Sequence, residues 1–583
     1  MKKTKIVCTL GPACESDQII EEMMLAGMDV ARVNFSHGTH EQHKITIDRF
    51  KALRKKLGTN TPLLLDTKGP EIRTKSFKNP PVTLEAGQTF TLCMYDTEGD
   101  ENKVSVTHTG LYNDINIGSR ILIDDGLIEM RVEDKNSREI VCRVINGGKV
   151  SNNKSVNVPG VHLSLDFLSE RDKSDIEFGI KEDFDFIAAS FTQCADDILK
   201  IRHFLESHNC HDILIIAKIE NGAGVENIDE ILGVADGIMV ARGDLGVEIP
   251  LEDIPVIQKS LISKAYTAGK PVITATQMLE SMTHNPRPTR AEITDVANAI
   301  YDGSSAIMTS GETAIGKHPV EVVRTMVKIA ERTESDIDYS SRFSRFAPHG
   351  FLGVTTAVSH AACTTSLDLD AKAIIAVSKS GKTLRMISRF RPKTMIIGCT
   401  PVEKTCRQLK LSWGVTPLVM EERDNTDELF DHAIARSIEQ GLVSLGDLAV
   451  LTAGTPLGIS GTTNMIKVAI IGDTLATGMG IGDGVVCGEL CVCQNDDDAL
   501  KNYKSGTILV IPFTTNKIID IIRNAAGIIC EQSGADSHAA IIGRALNIPV
   551  IVGAAGATKI LKSKTAVTID CKKGIVFNGD IYK

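Results

Sequence analysis

The sequence predicts an α/β protein whose central part is an eight-stranded (β/α)8 barrel, the TIM barrel fold. Two features of the 583 residues support this prediction. Short apolar runs alternate with helical stretches between residues 5 and 310, which is the rhythm of parallel strands joined by helices. Polar residues close most of these runs, and the functional face of such a barrel is the one where its strands end.

The strands and helices of the barrel are predicted in order along the chain. Ser16 can cap the first helix and Gly27 can end it. The predicted strands are 5–11, 30–36, 63–67, 186–191, 214–221, 237–242, 271–276 and 306–310, and the predicted helices are 16–26, 41–57, 170–181, 196–207, 257–268 and 289–301.

The βα rhythm stops after Gly69, and residues 73–165 have a β-type pattern punctuated by turn residues. This predicts a small inserted β-barrel domain, hinged near Pro70 and Pro159. The α/β rhythm returns downstream of the barrel, and the end of the chain is rich in Gly, Val and Ile. The predicted domains are a barrel of residues 1–69 and 167–338, an insertion of 70–166, an α/β domain of 339–473 and a last domain of 474–583.

Composition restricts the classes of function. The formal net charge is −10 and the pI is near 5.8, which argues against a nucleic-acid or anionic-membrane partner. No apolar run is long enough to span a bilayer, and residues 1–6 lack the apolar core of a signal peptide. The 14 cysteines are scattered, and the close pair Cys491 and Cys493 is interpreted as structural. We therefore expect a cytoplasmic protein with reduced thiols.

The stretch from Leu214 to Asn221 begins as a buried apolar strand and ends in charge. Side chains alternate along a strand, so Lys218 and Glu220 are predicted to point the same way. The functional interpretation is a phosphoryl-handling lysine beside a metal-binding carboxylate. A buried structural ion pair would give the same pattern, and this stretch alone does not decide between them.

Other strand ends add candidate ligands. Glu220 and Asp244 offer only oxygen ligands, which favours Mg2+ or Mn2+ over zinc. A second group, Asn34, Ser36, Asp66 and Thr67, has one charge and several neutral oxygens, which suits a monovalent cation. A hydrogen-bonded network without a cation explains this second group equally well.

The remaining strand-end residues suggest phosphoryl transfer. Arg32 can bind a phosphoryl group bidentately, and Lys218 can neutralise charge that develops during transfer. A helical turn starting near Gly243 would offer free N–H groups to an anion. No Ser-His-Asp or Cys-His arrangement is evident at the strand ends, so acyl chemistry is not expected. Placement and charge neutralisation are what phosphoryl transfer requires.

Several sequence segments resemble the pyruvate kinase family over roughly residues 1–470. The segments are 5–12, 31–38, 65–74, 217–221, 239–248, 276–282, 285–298 and 310–313. The resemblance implies transfer of a phosphoryl group from phosphoenolpyruvate to ADP, in glycolysis, by a homotetramer.

The resemblance also assigns residues to roles. Arg32 would hold the phosphoryl group, Lys218 would stabilise the transition state, and Glu220 with Asp244 would bind Mg2+. The inserted domain would be a lid over the nucleotide. The other implied roles are K+ at Asn34, Ser36, Asp66 and Thr67; nucleotide at Arg73 and Lys154; and the substrate carboxylate at Gly243, Asp244 and Thr276. A lysine at position 71 could supply the positive charge of the monovalent cation. Glu71 stands there in this sequence, which indicates a K+-dependent member of the family.

The third domain resembles the allosteric effector domain of the same family. Its turn at 378–383 lies between a predicted strand and helix and is rich in hydroxyls and glycine. We expect a phosphorylated effector, a sugar phosphate or a nucleotide, at Ser378, Ser380, Gly381 and Thr383, with 452–458 and 461–464 nearby. An empty phosphate-like turn is the alternative.

The last domain is similar to the phosphohistidine domain of phosphoenolpyruvate-utilising enzymes, through residues 534–544 and 547–553. The residue matching the phosphorylated histidine is His538, and Asp536 beside it would repel a phosphoryl group. A structural or regulatory appendage of a bacterial enzyme is therefore favoured. The alternatives are a phosphotransferase or dikinase-like protein working through His538, a metal-dependent barrel lyase and an inactive sensor.

Overall fold

The computed structural model describes residues 2–161, 163–345, 353–455, 463–472 and 474–579. The chain forms two compact units. One contains Met1–Cys363, Ala376–Asp424 and Ala453–Met465, and the other contains Thr364–Ile375, Asn425–Thr452 and Ile466–Lys583. Among the described helices, none has both the length and the hydropathy needed to cross a bilayer.

The first unit contains a closed barrel of eight parallel strands, which confirms the predicted fold class. Each strand pairs with its neighbours in the chain, and the first pairs with the eighth. The strands are Lys5–Leu10, Val30–Asn34, Leu63–Asp66, Phe186–Ala189, Leu214–Ile219, Gly237–Ala241, Val272–Ala275 and Ala306–Thr309.

Helices follow the barrel strands, and several begin at the capping residues that the sequence offers. The side chain of Ser16 accepts a hydrogen bond from Ile19 N, and Thr39, Ser169 and Thr289 each form a capping box. The α-helices from the start of the chain through 345 that surround or follow the barrel are Asp17–Ala26, His40–Lys56, Glu170–Lys181, Ala195–Ser207, Gly222–Glu226, Ile228–Val234, Arg242–Glu248, Ile254–Ala268, Arg290–Asp302, Gly311–Ala314, Pro319–Asp336 and Tyr339–Arg345.

Two apolar layers fix the direction of each barrel side chain. Along the fifth strand, Ile216 belongs to the cluster inside the barrel, whereas Ile215 and Ala217 belong to the cluster between strands and helices. Lys218 is two residues beyond Ile216, so strand alternation turns it to the inside as well. The interior is therefore apolar along the strands and charged where they end.

The insertion forms a seven-stranded sheet, and a bridge between Thr74 and Val106 connects its two edges. Its strands are Ile72–Arg73, Thr89–Cys93, Lys103–Ser105, Arg120–Ile123, Ile128–Lys135, Glu139–Asn146 and Ser155–Asn157. Val82–Leu84 pairs separately with Gly148–Val150, and Leu111–Asp114 is a short helix. The insertion is β-type, as predicted.

The α/β segment is shared between the two units. Within the first unit, Met395–Thr400 and Val415–Val419 pair in parallel. The other strands of the segment are Ala373–Val377, Leu448–Gly454 and Thr463–Ile470, and its helices are Val354–Asp368, Lys382–Arg389, Glu403–Leu409 and Thr426–Glu439.

The end of the second unit contains an eight-stranded mixed sheet. Its strands are Thr474–Thr477, Met479–Ile481, Val485–Val492, Ile508–Ile511, Gly527–Cys530, Val550–Val552, Ala566–Asp570 and Ile575–Asn578, and its helices are Asp496–Asn502, Ile519–Arg523, His538–Leu546 and Ala557–Ile560. All 14 cysteines of the chain are free thiols, and Cys491 and Cys493 are buried in the core of this unit.

Candidate active site at the carboxyl ends of the barrel strands

Lys218 is the centre of a buried charged network. Its Nζ lies 3.0 Å from Asp66 Oδ1 and 3.0 Å from Glu220 Oε1, and it donates to Ser190 Oγ at 2.7 Å. Lys218 is only 9% exposed and Glu220 is fully buried. The predicted common direction of Lys218 and Glu220 is therefore what the structure shows.

Arg32 joins the same network through Asp66. Its Nε donates to Asp66 Oδ2 at 2.6 Å, and its Nη1 donates to Thr9 Oγ1 at 2.8 Å. Asp66 thus contacts both cations, Arg32 through one carboxylate oxygen and Lys218 through the other. Two positive groups are held side by side by a single buried carboxylate.

The charges in this network shift one another's pKa values. Burial alone would lower the pKa of Lys218, but Asp66 and Glu220 outweigh burial and raise it. Burial alone would raise the pKa of Asp66, but Arg32 and Lys218 lower it. Lys218 is therefore a fixed cation and Asp66 a fixed anion around neutral pH.

Glu220 has one oxygen with a hydrogen bond and one without. Its Oε2 accepts from Phe191 N at 2.6 Å, and Phe191 has a positive φ of 56°. Its Oε1 is buried and, although near Lys218 Nζ, accepts no hydrogen bond of suitable geometry from a described residue. Burial, opposed by Lys218 and reinforced by Asp244, raises the pKa of Glu220.

Asp244 lies in the first turn of the helix Arg242–Glu248, which confirms the predicted helical turn. Gly243 N donates to Thr276 Oγ1 at 2.7 Å, and Thr276 has a φ of 69°. Arg242 donates to Thr276 O at 2.8 Å and pairs with Asp295 at 2.7 Å. Gly243 and Thr276 are therefore in contact, and the hydrogen bond from Arg242 holds the backbone carbonyl of Thr276 in place.

The four predicted K+ ligands lie on two adjacent strand ends. Asn34 pairs with Asp66 in the parallel register of the second and third strands. Asn34 Oδ1 accepts from Ser36 N at 3.0 Å, and Thr67 Oγ1 accepts from Ser190 N at 3.1 Å. Within the described residues, no group of three or more His, Cys, Asp or Glu side chains is arranged to hold a metal ion.

The two predicted nucleotide residues lie on the inserted sheet. Arg73 donates to Glu71 Oε1 at 2.7 Å and to Asn153 O at 2.7 Å, and its side chain is 31% exposed. Lys154 pairs with Asp124 at 2.9 Å and is 36% exposed. Glu71 also lies 3.2 Å from Lys68. The Arg73 and Lys154 side chains are both partly exposed, so a bound anion can replace their present hydrogen-bond and ion-pair partners.

A cavity of about 840 Å3 is contiguous with the network. Arg32 and Asn34 line it together with Pro12, His37 and Ser310. Its volume is in the range of a pocket for a drug-sized or nucleotide-sized molecule. The cavity was not predicted, although Pro12, His37 and Ser310 lie in the segments 5–12, 31–38 and 310–313 that carry the family resemblance, because the sequence does not show which loops enclose a common space.

The predicted effector turn lies where a strand passes into the helix Lys382–Arg389. Ser378 N donates to Cys399 O at 3.0 Å, and Thr383 Oγ1 lies 2.5 Å from Thr463 Oγ1. Gly381 has a φ of 73°, a conformation that favours glycine. Of the segments expected nearby, residues 456–458, 461 and 462 lie outside the described residues.

His538 begins the helix His538–Leu546, far along the chain from the barrel. Its Nδ1 lies 2.8 Å from Thr514 Oγ1 and its Nε2 lies 3.0 Å from Asn516 Oδ1. An amide oxygen only accepts, so Nε2 donates to Asn516 Oδ1, and in the neutral ring Nδ1 accepts from the Thr514 hydroxyl. Both ring nitrogens are engaged by neutral groups.

Two residues of the barrel network were not predicted as site residues. Ser190 accepts from Lys218 and donates to Thr67 O at 2.6 Å, and Thr9 accepts from Arg32. Ser190 is the last polar residue of the predicted strand 186–191, so the rule that singled out the other strand ends would have found it. Thr9 has no such signal, because it lies inside an apolar strand.

Three family models match successive parts of the chain. They are described as pyruvate kinase, barrel domain, over residues 1–323; pyruvate kinase, alpha/beta domain, over 356–469; and PEP-utilising enzyme, mobile domain, over 503–574.

Whole-chain relatives agree with these matches. The chain is 48% identical over 581 residues to a pyruvate kinase of Staphylococcus epidermidis and 48% identical over 580 residues to one of Geobacillus stearothermophilus, covering 99% of each chain. Among solved structures, it is similar to a pyruvate kinase from Cryptosporidium parvum, with a TM-score of 0.76 and 39% identity over 81% of this chain and 96% of that one. With this identity along its full length, the chain belongs to the pyruvate kinase family.

Proposed function

We propose that the chain transfers the phosphoryl group of phosphoenolpyruvate to ADP, giving ATP and pyruvate. The observation that carries this proposal is the pair of buried cations, Lys218 and Arg32, held side by side by Asp66 at the carboxyl ends of the barrel strands. Phosphoryl transfer needs a negatively charged group to be placed and its charge neutralised, and this network offers both.

Mg2+ (or Mn2+) is the divalent cation that fits the Glu220 and Asp244 pair. The fit rests on Glu220 Oε1, which is buried and, apart from its ion pair with Lys218, accepts no hydrogen bond from a described residue. Two carboxylates with oxygen-only ligands suit a hard cation that keeps water or substrate oxygens as its other ligands. When bound, such an ion would neutralise phosphoryl oxygens and orient them.

The protein side chains have separate roles in this proposal. Arg32 binds the phosphoryl group and Lys218 stabilises the charge that develops as it moves. Because Asp66 and Ser190 hold Lys218 in place, its ammonium needs little reorganisation during the reaction. The substrate carboxylate lies against Gly243, Asp244 and Thr276, where Gly243 N and Thr276 Oγ1 are already adjacent.

ADP lies between the barrel and the inserted domain in this proposal. Arg73 and Lys154 bind the nucleotide, and the inserted β domain acts as the lid. The cavity beside Arg32 and Asn34 is large enough for the nucleoside part. All of these residues lie in the same compact unit.

K+ binds at Asn34, Ser36, Asp66 and Thr67 in this proposal. Asp66 supplies the single negative charge, and the other three supply neutral oxygens, from side chains or backbone. Both oxygens of Asp66 are already paired with cations, so the site has little charge to offer a divalent ion.

We also propose the finer properties that the family resemblance implies. A phosphorylated small-molecule effector binds at Ser378, Ser380, Gly381 and Thr383 and regulates the enzyme allosterically. The chain works as a homotetramer in glycolysis, in the cytoplasm. A phosphotransferase working through His538 is not favoured, because the full-length relatives are pyruvate kinases and the His538 ring contacts neutral groups.

The test is a coupled pyruvate assay with the full chain. We expect turnover that requires ADP, a divalent cation and K+, and that stops when the divalent cation is chelated. Pyruvate release without ADP would contradict the proposal and favour a barrel lyase.

A further inference from the structure

The loop after the second barrel strand carries Ser36, one of the K+ ligands proposed above, between two backbone carbonyls that side chains from outside the loop hold in place. Arg171 Nη2 donates to Phe35 O at 2.8 Å. His43 Nε2 lies 2.8 Å from His37 O, and since a carbonyl only accepts, His43 is the donor. The backbone on both sides of Ser36 is therefore fixed by side-chain donors, neither of which is among the predicted site residues.

The peptide bond between Phe35 and Ser36 is held at both of its polar atoms. Its carbonyl accepts from Arg171, and its N–H, that of Ser36, donates to Asn34 Oδ1 at 3.0 Å. Phe35 N in turn donates to Asp66 O at 3.0 Å. Because Asn34 and Asp66 are themselves proposed K+ ligands, a displacement of this peptide changes the position of Ser36 relative to both.

The Phe35 ring anchors the loop in the apolar core. It is 1% exposed, and its centre lies 4.4 Å from that of the His43 ring and 5.8 Å from that of Phe178. His43 therefore packs against the side chain of Phe35 and also donates to the carbonyl two residues later. A test of the hydrogen bond has to leave this packing in place.

The two donors come from the helices His40–Lys56 and Glu170–Lys181, and a further contact links these helices. His40 Nε2 lies 2.6 Å from Asp175 Oδ1, and Arg171 Nε lies 3.9 Å from Asp175 Oδ2. An arginine side chain that is 46% exposed has many conformations open to it. The carboxylate and the loop carbonyl together favour the conformation that reaches the loop.

We propose that His43 and Arg171 are positioning residues for the monovalent-cation site, where they set the affinity for K+ by holding Ser36 in place relative to Asn34 and Asp66. The inference rests on the K+ site of the proposed function and adds to it two residues that supply no oxygen to the ion. Groups that orient metal ligands change the affinity without touching the metal, because ligands that are already in place lose less freedom when the ion binds.

The experiment measures K+ binding directly, without turnover. The full chain, free of substrate, is titrated with KCl while tetramethylammonium chloride keeps the ionic strength constant, and the Kd for K+ is obtained from the rise in Tm. A ligand that binds the folded state raises the Tm by an amount that depends on the ratio of its concentration to its Kd. We expect such a rise in the wild type.

His43→Leu and His43→Gln separate the hydrogen bond from the packing. Leucine keeps an apolar contact with Phe35 but has no donor, whereas the side-chain amide of glutamine can donate to His37 O. We expect the Kd for K+ to rise about tenfold in His43→Leu and to return most of the way to the wild-type value in His43→Gln. His203→Leu, at a histidine whose side chain is 76% exposed, is the matched control and should keep the wild-type Kd.

Arg171→Met tests the second donor independently of the nucleotide. His43 lines the cavity beside Arg32, so its variants can also change ADP binding, whereas Arg171 is not among the described residues that line this cavity. We expect the Kd for K+ to rise about tenfold in Arg171→Met, with the KM for ADP at saturating K+ unchanged. Arg324→Met, at an arginine whose side chain is 51% exposed, is the control.

Steady-state kinetics distinguish positioning from a purely structural role. Positioning raises the K+ concentration that gives half of the maximal rate and leaves kcat at saturating K+ near the wild-type value. A structural role lowers the Tm measured without K+ and leaves the Kd for K+ unchanged, and an unchanged Kd in the folded variants would overturn the proposal. Because Arg171 is partly exposed, Arg171→Met decides the question alone if circular dichroism shows that His43→Leu does not fold.

The wild type separates this inference from the proposed function. A wild type whose Tm responds to K+, with variants that respond equally, overturns only the roles of His43 and Arg171. A wild type that turns over phosphoenolpyruvate with ADP but shows no response of Tm or rate to K+ overturns the cation site and these two roles with it, and leaves phosphoryl transfer in place.

Discussion

Lys218 and His538 both lie in segments that resemble phosphoryl-handling motifs, but their surroundings differ. Lys218 contacts Asp66, Glu220 and Ser190 and shares Asp66 with Arg32. The His538 ring contacts the hydroxyl of Thr514 and the amide of Asn516. One place concentrates charge at the end of a strand, and the other holds a ring between neutral groups.

The difference shows that a motif is weaker evidence for chemistry than the charges assembled around it. A phosphoryl group in transfer needs cations whose positions are fixed before it arrives. The barrel network has such cations, and two carboxylates raise the pKa of Lys218. At His538, the described hydrogen-bond partners supply no such charge. The predictions below test this contrast, starting with the largest expected effect.

Lys218→Met should lower kcat by roughly 10^3-fold, because it removes the fixed cation that stabilises developing charge. Binding of phosphoenolpyruvate should survive, since Arg32 and the Gly243–Thr276 contact remain. The measurement is steady-state kinetics with ADP in excess, together with a direct binding titration. Lys264→Met, at an exposed lysine paired with Asp229, is the matched control and should be active. A Lys218→Met enzyme with more than a tenth of normal kcat would remove this residue from its role.

Ser190→Ala should lower kcat by about tenfold while KM changes little, because it removes one of the groups that position Lys218. Ser190→Thr should restore part of the rate, since it returns the hydroxyl. Ser207→Ala, at an exposed helix end, is the control. If kcat falls only together with a loss of thermal stability, and threonine does not restore it, Ser190 has only a structural role.

Glu71→Lys should reduce the requirement for K+, measured as the ratio of kcat with and without the ion. A lysine there adds a positive charge near the predicted site, although it also removes the partner of Arg73. Glu71→Gln separates the two effects, because it loses the partner without adding charge and should keep the requirement. The prediction is wrong if both variants depend on K+ as the wild type does.

His538→Gln should leave kcat within about twofold of normal, the smallest effect of the series. Glutamine can keep one hydrogen bond while removing the imidazole. The wild type incubated with labelled phosphoenolpyruvate should carry no acid-labile phosphate. Label that appears on the wild type and disappears in His538→Gln would break the contrast between the two regions.

Most of the barrel could be predicted because each strand carries its own local signal. Predicted and observed helices agree closely at 16–26 and 170–181, where Ser16 and Ser169 cap the first turn. The helices Gly222–Glu226 and Ile228–Val234 were not predicted, because they are short and follow one another without a clear period. Pro319–Asp336 was also not predicted, although Pro319 and the buried Val323 and Met326 provide a signal.

Less of the site could be predicted, and the reason is the distance along the chain between partners. The sequence placed Lys218 and Glu220 on one face, but it did not show that Asp66 joins Lys218 to Arg32. Arg242 is the last residue of the predicted strand 237–242, and the sequence did not show that its partner is Asp295.

The sequence by itself determined the alternation of strands and helices, the β-type insertion and the side of each strand that a residue faces, because these depend on neighbours a few positions away. Only the tertiary structure decided which charges meet. Lys218 and Asp66 are 152 residues apart, and closure of the barrel brings them to 3.0 Å. Charges act through space, so the partners that fix a pKa are set by the folded arrangement and not by order along the chain.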